Sequence, residues 1–385
     1  MTQSLQENKQ SSARETSIEL LRIVTMLFIV AHHYVVNSGL TVDGGVIFSS
    51  PLSWRSIFLL LFGAWGKIGI NCFVLITGYF MCTSKITLKK YFKLIFEILF
   101  YRWVIYLIFL SAGYEPFSWK SLLKALLLIT SVKQNFTGCY LLFFLTIPFL
   151  NILVKNMTEK QHIYLVLLAG FIYIFFGTLK VLKVDMNYVS WFIVLYFVAS
   201  YIRLYPKQIF KKTKVWCFLS LFFIILSGLS VIACTWLGQK INRSTISYFF
   251  VSDSNTFLAF ATGLCVFMFF KNLKLKPNKF INGVAASTFG VLLIHANSDT
   301  MRRWLWQDFL NNVGMYGSPF MVLHAFGCVL GVFIICTAID YLRIRFLERP
   351  FFKRVDKHII NIEHWYKRKE ECVMNKLGIK GEKDE

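Results

Sequence analysis

Long apolar stretches separated by short polar clusters set the rhythm of this chain. Runs of membrane length, roughly 17–25 residues, fall at 18–36, 57–82, 91–111, 138–154, 162–179, 189–205, 215–237, 254–270, 281–296 and 319–342. None shows the strict alternation of a half-buried strand, so each predicts a helix. The first run is long for a signal-peptide core and ends in His32-His33-Tyr34 without a small-residue cleavage site, so it reads as an uncleaved span. The ninth, 281–296, is short and suits a tilted or re-entrant segment. The pattern therefore predicts an all-α polytopic membrane helix bundle of about ten transmembrane helices. A polar N-terminus at 1–17 precedes a membrane domain at 18–346, and a charged, solvated tail follows at 347–385.

Charge gives the bundle a direction. With the N-terminus inside, the four inner loops carry fifteen Lys and Arg, the five outer loops ten, and the tail from Arg343 another twelve. Positive residues gather on the cytoplasmic side, so both termini are expected there. Counting 119–130 as an eleventh span would put the Lys207–Lys214 cluster outside, so that segment is read as an interfacial helix. Composition agrees: 56% of the 385 residues are hydrophobic, 17% aromatic and only 16% charged, unlike a soluble enzyme or a disordered chain. The net charge of +22 fits basic loops against anionic headgroups and needs no nucleic acid. Nine cysteines include no CxxC pair, so neither a metal site nor a disulfide framework is expected.

Ionisable groups inside apolar runs are costly and mark candidate chemistry. Glu19, Arg22, His32 and His33 lie in the first run. Arg22 and His33 are eleven residues apart, three helical turns plus about 20°, which puts them on one face roughly 16 Å apart along the axis. Arg22 alone would serve as a snorkelling cation, and a lone histidine as a structural hydrogen-bonder. Two adjacent histidines aligned with an arginine suit proton transfer near neutral pH. Glu97 and Arg102, about 140° apart on the third run, suit either pairs with other spans or the wall of a polar cavity. Gly66-Lys67-Ile68-Gly69-Ile70-Asn71 suggests close helix approach, and Ser287-Thr288-Phe289-Gly290 leads to His295, with Asp299 one turn on to orient it. His162 and His324 sit at span edges and carry no functional expectation. Tyr140 and Trp191 read as interfacial belt residues. No P-loop, GxSxG, HExxH or dinucleotide fingerprint is present, which argues against ATP-driven pumping.

Glu19-Leu20-Leu21-Arg22 running to His32-His33-Tyr34 resembles the opening of the acyltransferase-3 family of integral-membrane acyltransferases, with its Arg, ten residues, His signature. The resemblance continues from Gly69 to Phe80, through Tyr140-Leu141-Leu142 to Asn151, through Trp191-Phe192 to Arg203, and from Ser287 to His295. It implies transfer of an acyl group, usually acetyl from acetyl-CoA, to a sugar hydroxyl, as in members that acetylate bacterial surface polysaccharides or their lipid-linked precursors. His33 would be the acid/base or a transient acyl carrier. Arg22 would hold the donor or stabilise developing charge. Asn71, His32, Glu97, Arg102, Ser287 and His295 are supporting or substrate-lining candidates. The family's inner-loop Arg-x-x-Arg has Lys90-Tyr91-Phe92-Lys93 as its nearest match; with Lys85 and Lys89 these would hold CoA phosphates as point charges. Expected partners are acyl-CoA, a glycan or lipid-linked glycan acceptor, and membrane lipids, with no bound cofactor and no metal, in a bacterial plasma membrane. The rival class is a transporter or flippase of polysaccharide building blocks, since buried His, Glu and Arg also suit a substrate pathway.

Overall fold

The computed structural model describes residues 15–127, 135–179 and 187–376, which contain helices and turns and no strand. Helix α1 (Thr16–Val36) is followed by α2 (Trp54–Gly63) and α3 (Gly66–Met81), which together form one 28-residue apolar helix interrupted at Ala64 and Trp65. Then come α4 (Leu88–Ser111), the short α5 (Trp119–Leu126), α6 (Phe136–Asn156) and α7 (Glu159–Gly170), which continues through a wider turn to Leu179. Helices α8 (Tyr188–Leu204), α9 (Thr213–Lys240) and α10 (Phe257–Asn272) lead to the broken segment α11 (Lys279–Ala285) and α12 (Thr288–His295). A 95° bend then sets off α13 (Asp299–Arg303), and α14 (Met321–Arg343) runs through one wide turn into α15 (Arg349–Lys376).

Seven of these helices are long and apolar enough to cross a membrane, or eight if the bent pair is one span. The shorter apolar helices α8 and α10 stand where the sequence pattern placed its sixth and eighth runs. Helix α5 is eight residues long, with Trp119, Leu123 and Leu126 exposed on one side, as suits a segment lying at an interface; residues 128–130 of the expected interfacial helix lie outside the described residues. Residues 349–376 extend α14 as a helix whose Phe352 is buried and whose Phe351 stacks on Phe96 of α4 at 5.0 Å.

Local sequence explains where helices start. Thr87, Asn135 and Asn187 cap α4, α6 and α8 by accepting from the backbone N–H three residues on, and Thr158 with Gln161 forms a capping box on α7. The centre is α3, packed against α1, α8 and α10, while α7 and α9 keep mostly lipid-facing surfaces. Gly78 lets α3 approach Tyr196 and Ala199 of α8, and a Cβ at Gly66 would fall inside the His32 ring. Trp191 and Tyr140 are buried here, not part of an interfacial belt: Trp191 donates to Asn71 Oδ1 at 2.9 Å, and Tyr140 pairs with the Thr77 hydroxyl at 3.1 Å.

One ionic cluster crosses the bundle. Arg343 of α14, 3% exposed, binds Asp340 at 2.8 Å, Glu97 of α4 at 3.1 Å and Glu348 at 2.8 Å. Tyr101 donates to the fully buried Asp340 at 2.7 Å, and Gly290 is a glycine because a Cβ there would strike the Asp340 carboxyl. Removing the cation would strand Asp340 and Glu97 in low dielectric, while Glu348 keeps Lys93; breaking a buried pair costs about 3–5 kcal/mol. Arg343→Met is therefore expected to lower the thermal midpoint of the detergent-solubilised protein sharply, with Arg343→Lys intermediate; an unchanged midpoint would show that the cluster contributes nothing net.

Candidate active site

Helix α1 carries Arg22 toward the end where it begins, here the near end, and His33 toward the far end. The single helix confirms their shared face. His33 Nδ1 lies 2.9 Å from Nε2 of His295, and His295 Nδ1 lies 2.6 Å from the Val291 carbonyl. A carbonyl only accepts, so His295 Nδ1 carries its proton there. With both rings neutral, His295 Nε2 accepts from His33 Nδ1–H, leaving the lone pair of His33 on Nε2. His295 is fully buried and packs edge-on to Trp306, so the acceptor that fixes the His33 ring is itself fixed. Asp299 does not orient His295. Its side chain is 99% exposed and pairs with Arg302 at 3.1 Å, because the 95° bend carries it out of line with α12.

His33 lines a far-end cavity of about 480 Å³ together with His32, Lys67, Arg102, Tyr188, Asn297 and Arg302. The break between α2 and α3 frees the Gly63 carbonyl, which accepts from His32 Nδ1 at 2.6 Å. Lys67, in the first turn of α3, donates to the Tyr188 hydroxyl at 2.9 Å. Arg102 donates to the carbonyl of Leu127.

A second cavity of about 650 Å³ opens at the near end, lined by Lys90, Lys93, Glu97, Lys279, Arg343 and Glu348 among others. The two cavities share walls. Helix α4 gives Leu94 and Glu97 to one and Ile98 and Arg102 to the other. Helix α6 gives Phe144 and Tyr140 to the near cavity and Phe136 to the far one; α11 gives Asn282 to the near, α12 Leu292 to the far. Between the two levels stands an aromatic collar: Phe73 stacks on Phe289 at 6.3 Å, and Tyr140 lies 5.7 Å from both Phe289 and Phe136.

The expected residues separate under this geometry. His33, His32 and Arg102 line the far cavity, His295 backs it, and Glu97 lines the near one as an inter-helix ion pair. Of the four lysines, Lys90 and Lys93 line the near cavity. Lys93 also pairs with Glu348 at 3.3 Å, whereas Lys89 is held by Asp356 at 2.7 Å and Lys85 offers its carbonyl to Lys90. Asn71 is not among the residues lining either cavity: its amide donates to the Ser254 carbonyl at 2.7 Å and accepts from Trp191, so it ties α3 to its neighbours. Ser287, fully buried at the break between α11 and α12, lines neither. Arg22 lies outside both linings, 28% exposed, and its buried Nε makes a 3.9 Å ion-pair contact with Glu19 but no hydrogen bond among the described residues. His162, bonded to the Phe197 carbonyl, and His324, bonded to the Tyr34 hydroxyl, are structural.

Sequence reasoning passed over Lys67, Arg302, Asp340 and Arg343. A lysine between two glycines in an apolar run and an aspartate inside the last one were the available signals.

A family model described as an acyltransferase domain matches residues 15–341. No curated protein and no solved structure matches the chain. The match takes in α1 with Arg22 and His33, every wall of the far cavity and most of the near one, and the chain thus belongs to the acyltransferase-3 family of membrane acyltransferases.

Proposed function

We propose that the protein is an acyl-CoA-dependent O-acyltransferase that moves an acetyl or other short acyl group from cytoplasmic acyl-CoA to a sugar hydroxyl. The acceptor in this reading is a surface polysaccharide or its lipid-linked precursor, and the setting a bacterial plasma membrane. The observation that carries it is the fixed His33–His295 pair at the wall of a polar cavity inside an acyltransferase-family bundle. Family membership favours this reading over a transporter, for which a histidine held in one tautomer has no evident use.

In this mechanism the near cavity takes the CoA phosphates against Lys90, Lys93, Lys279 and Arg349. The thioester arm, roughly 15–20 Å when extended, reaches through the collar toward His33. Its length matches the roughly 16 Å rise between Arg22 and His33. His33 Nε2 takes the proton of the acceptor hydroxyl as its oxygen attacks the thioester carbonyl. The negative oxygen that forms meets the cations of the far cavity. Collapse expels the CoA thiolate, which recovers the proton from His33, leaving the ester and free CoA-SH. Arg22, roughly 16 Å along α1 from His33, would help hold the donor near its CoA end and not at the thioester.

The test is base-labile O-acetyl content of purified surface polysaccharide in wild-type, deletion and His33→Ala strains. A positioned general base contributes about 10²–10⁴-fold, so His33→Ala at normal protein level should be as depleted as the deletion; normal ester content in a well-expressed variant removes His33 from the mechanism. His295→Ala, which deprives His33 Nδ1–H of its acceptor, should lower kcat on the order of 10²-fold with little change in KM for acyl-CoA. His295→Gln, whose amide oxygen can accept the same bond, should recover part of that rate; equal loss in both variants would mean that packing, not the hydrogen bond, is what His295 supplies.

A further inference from the structure

We infer that the acceptor is anionic, a sugar bearing a carboxylate or phosphate that docks against Lys67, Arg102 and Arg302 beside His33. The inference rests on the acyl-transfer reading above. The far cavity is lined by three cations and by no aspartate or glutamate. The near cavity is also net basic, with Lys90, Lys93, Lys279, Arg343 and Arg349 against Glu97 and Glu348, but in the acyl-transfer reading its excess already meets the CoA phosphates, whereas nothing yet answers the far one.

None of the three cations is explained by the fold. Lys67 occupies the first turn of α3, where the helix dipole already presents positive charge and where there is neither an acidic residue nor a side-chain cap. Its ammonium uses one donor on the Tyr188 hydroxyl and lies over that ring, and the one carboxylate that acts on it, Asp253, does so from beyond ion-pair distance and outside the cavity lining. Arg102 spends its bond on a neutral backbone carbonyl from the middle of an apolar helix. Arg302 has only the solvent-facing Asp299 and the Ser298 carbonyl. Arg302 is 38% exposed, but gathering it with Lys67 and Arg102 around one cavity sets like charges against one another, which an anion between them would relieve.

The donor does not supply that anion. The CoA phosphates belong with the basic residues of the near cavity, and the arm that reaches His33 is uncharged. One cation suffices for the developing oxyanion. The remaining charge faces the acceptor, and the side-chain amide of Asn297 offers hydrogen bonding to its hydroxyls. A volume of about 480 Å³ falls within the roughly 300–1,000 Å³ of small-molecule sites.

Purified protein in lipid nanodiscs, with both faces open, is given acetyl-CoA and one of three acceptors: methyl glucoside, methyl glucuronide or glucose 1-phosphate. Transfer to sugar and release of free CoA are followed together, with His33→Ala as the blank. Hydrogen bonds to charged groups differ enough from neutral ones to give about tenfold or more in kcat/KM for the glucuronide, the phosphate or both. Whichever charged probe leads identifies the anion. That preference should fall toward one in Lys67→Gln and Arg302→Gln, survive in Lys67→Arg and weaken with added salt. Equal use of the neutral glucoside, or a preference intact in both glutamine variants, overturns the inference. His33-dependent CoA release without discrimination would overturn it while leaving the acyl-transfer reading standing; no His33-dependent release overturns both.

Discussion

An arginine enclosed by three carboxylates fixes the geometry on which both cavities rely. Arg343 joins Glu97 on α4 to Asp340 and Glu348 on the helix that carries it. In low dielectric none of these charges tolerates separation, so α4 is held in one rotation against α14. That rotation matters because α4 serves two cavities: Glu97 faces the near one, and Ile98 with Arg102 the far one. A turn of α4 about its axis would withdraw lining residues from both. Gly290 brings α12 up to Asp340, and α12 carries His295. The ionic cluster and the histidine pair are thus linked by a single eight-residue helix.

The histidine pair solves a separate problem. An imidazole in such a cavity has two nitrogens, and a fixed neighbour must set which one holds the proton. The Val291 carbonyl decides it for His295, and His295 decides it for His33. The arrangement needs no carboxylate, which suits a cavity already lined by cations.

Much of this was legible in the sequence because it is periodic or local. The segments at α1, α4, α6 and α14 follow from apolar runs, and the shared face of Arg22 and His33 follows from helix geometry. Partners across the bundle were not legible. His33 and His295 are 262 positions apart, and no pattern within either helix names the other. Asn71 read as a lining candidate because a polar residue in an apolar run looks the same whether it faces a cavity or ties two helices together. Asp299 read as an orienter because the 95° bend after α12 has no clear local signal. Asp340 and Arg343 sit where an apolar run gives way to a basic tail, a boundary at which charge is expected and attracts no notice.

The collar of Phe73, Phe136, Tyr140 and Phe289 has an electrical consequence. A passage joining two polar chambers would short-circuit the membrane if water filled it. Ring faces cannot replace an ion's hydration shell, and an apolar constriction stays dry. In the proposed reaction a slender uncharged arm would pass edgewise between these rings while ions would not, so acyl transfer would leave the transmembrane potential intact.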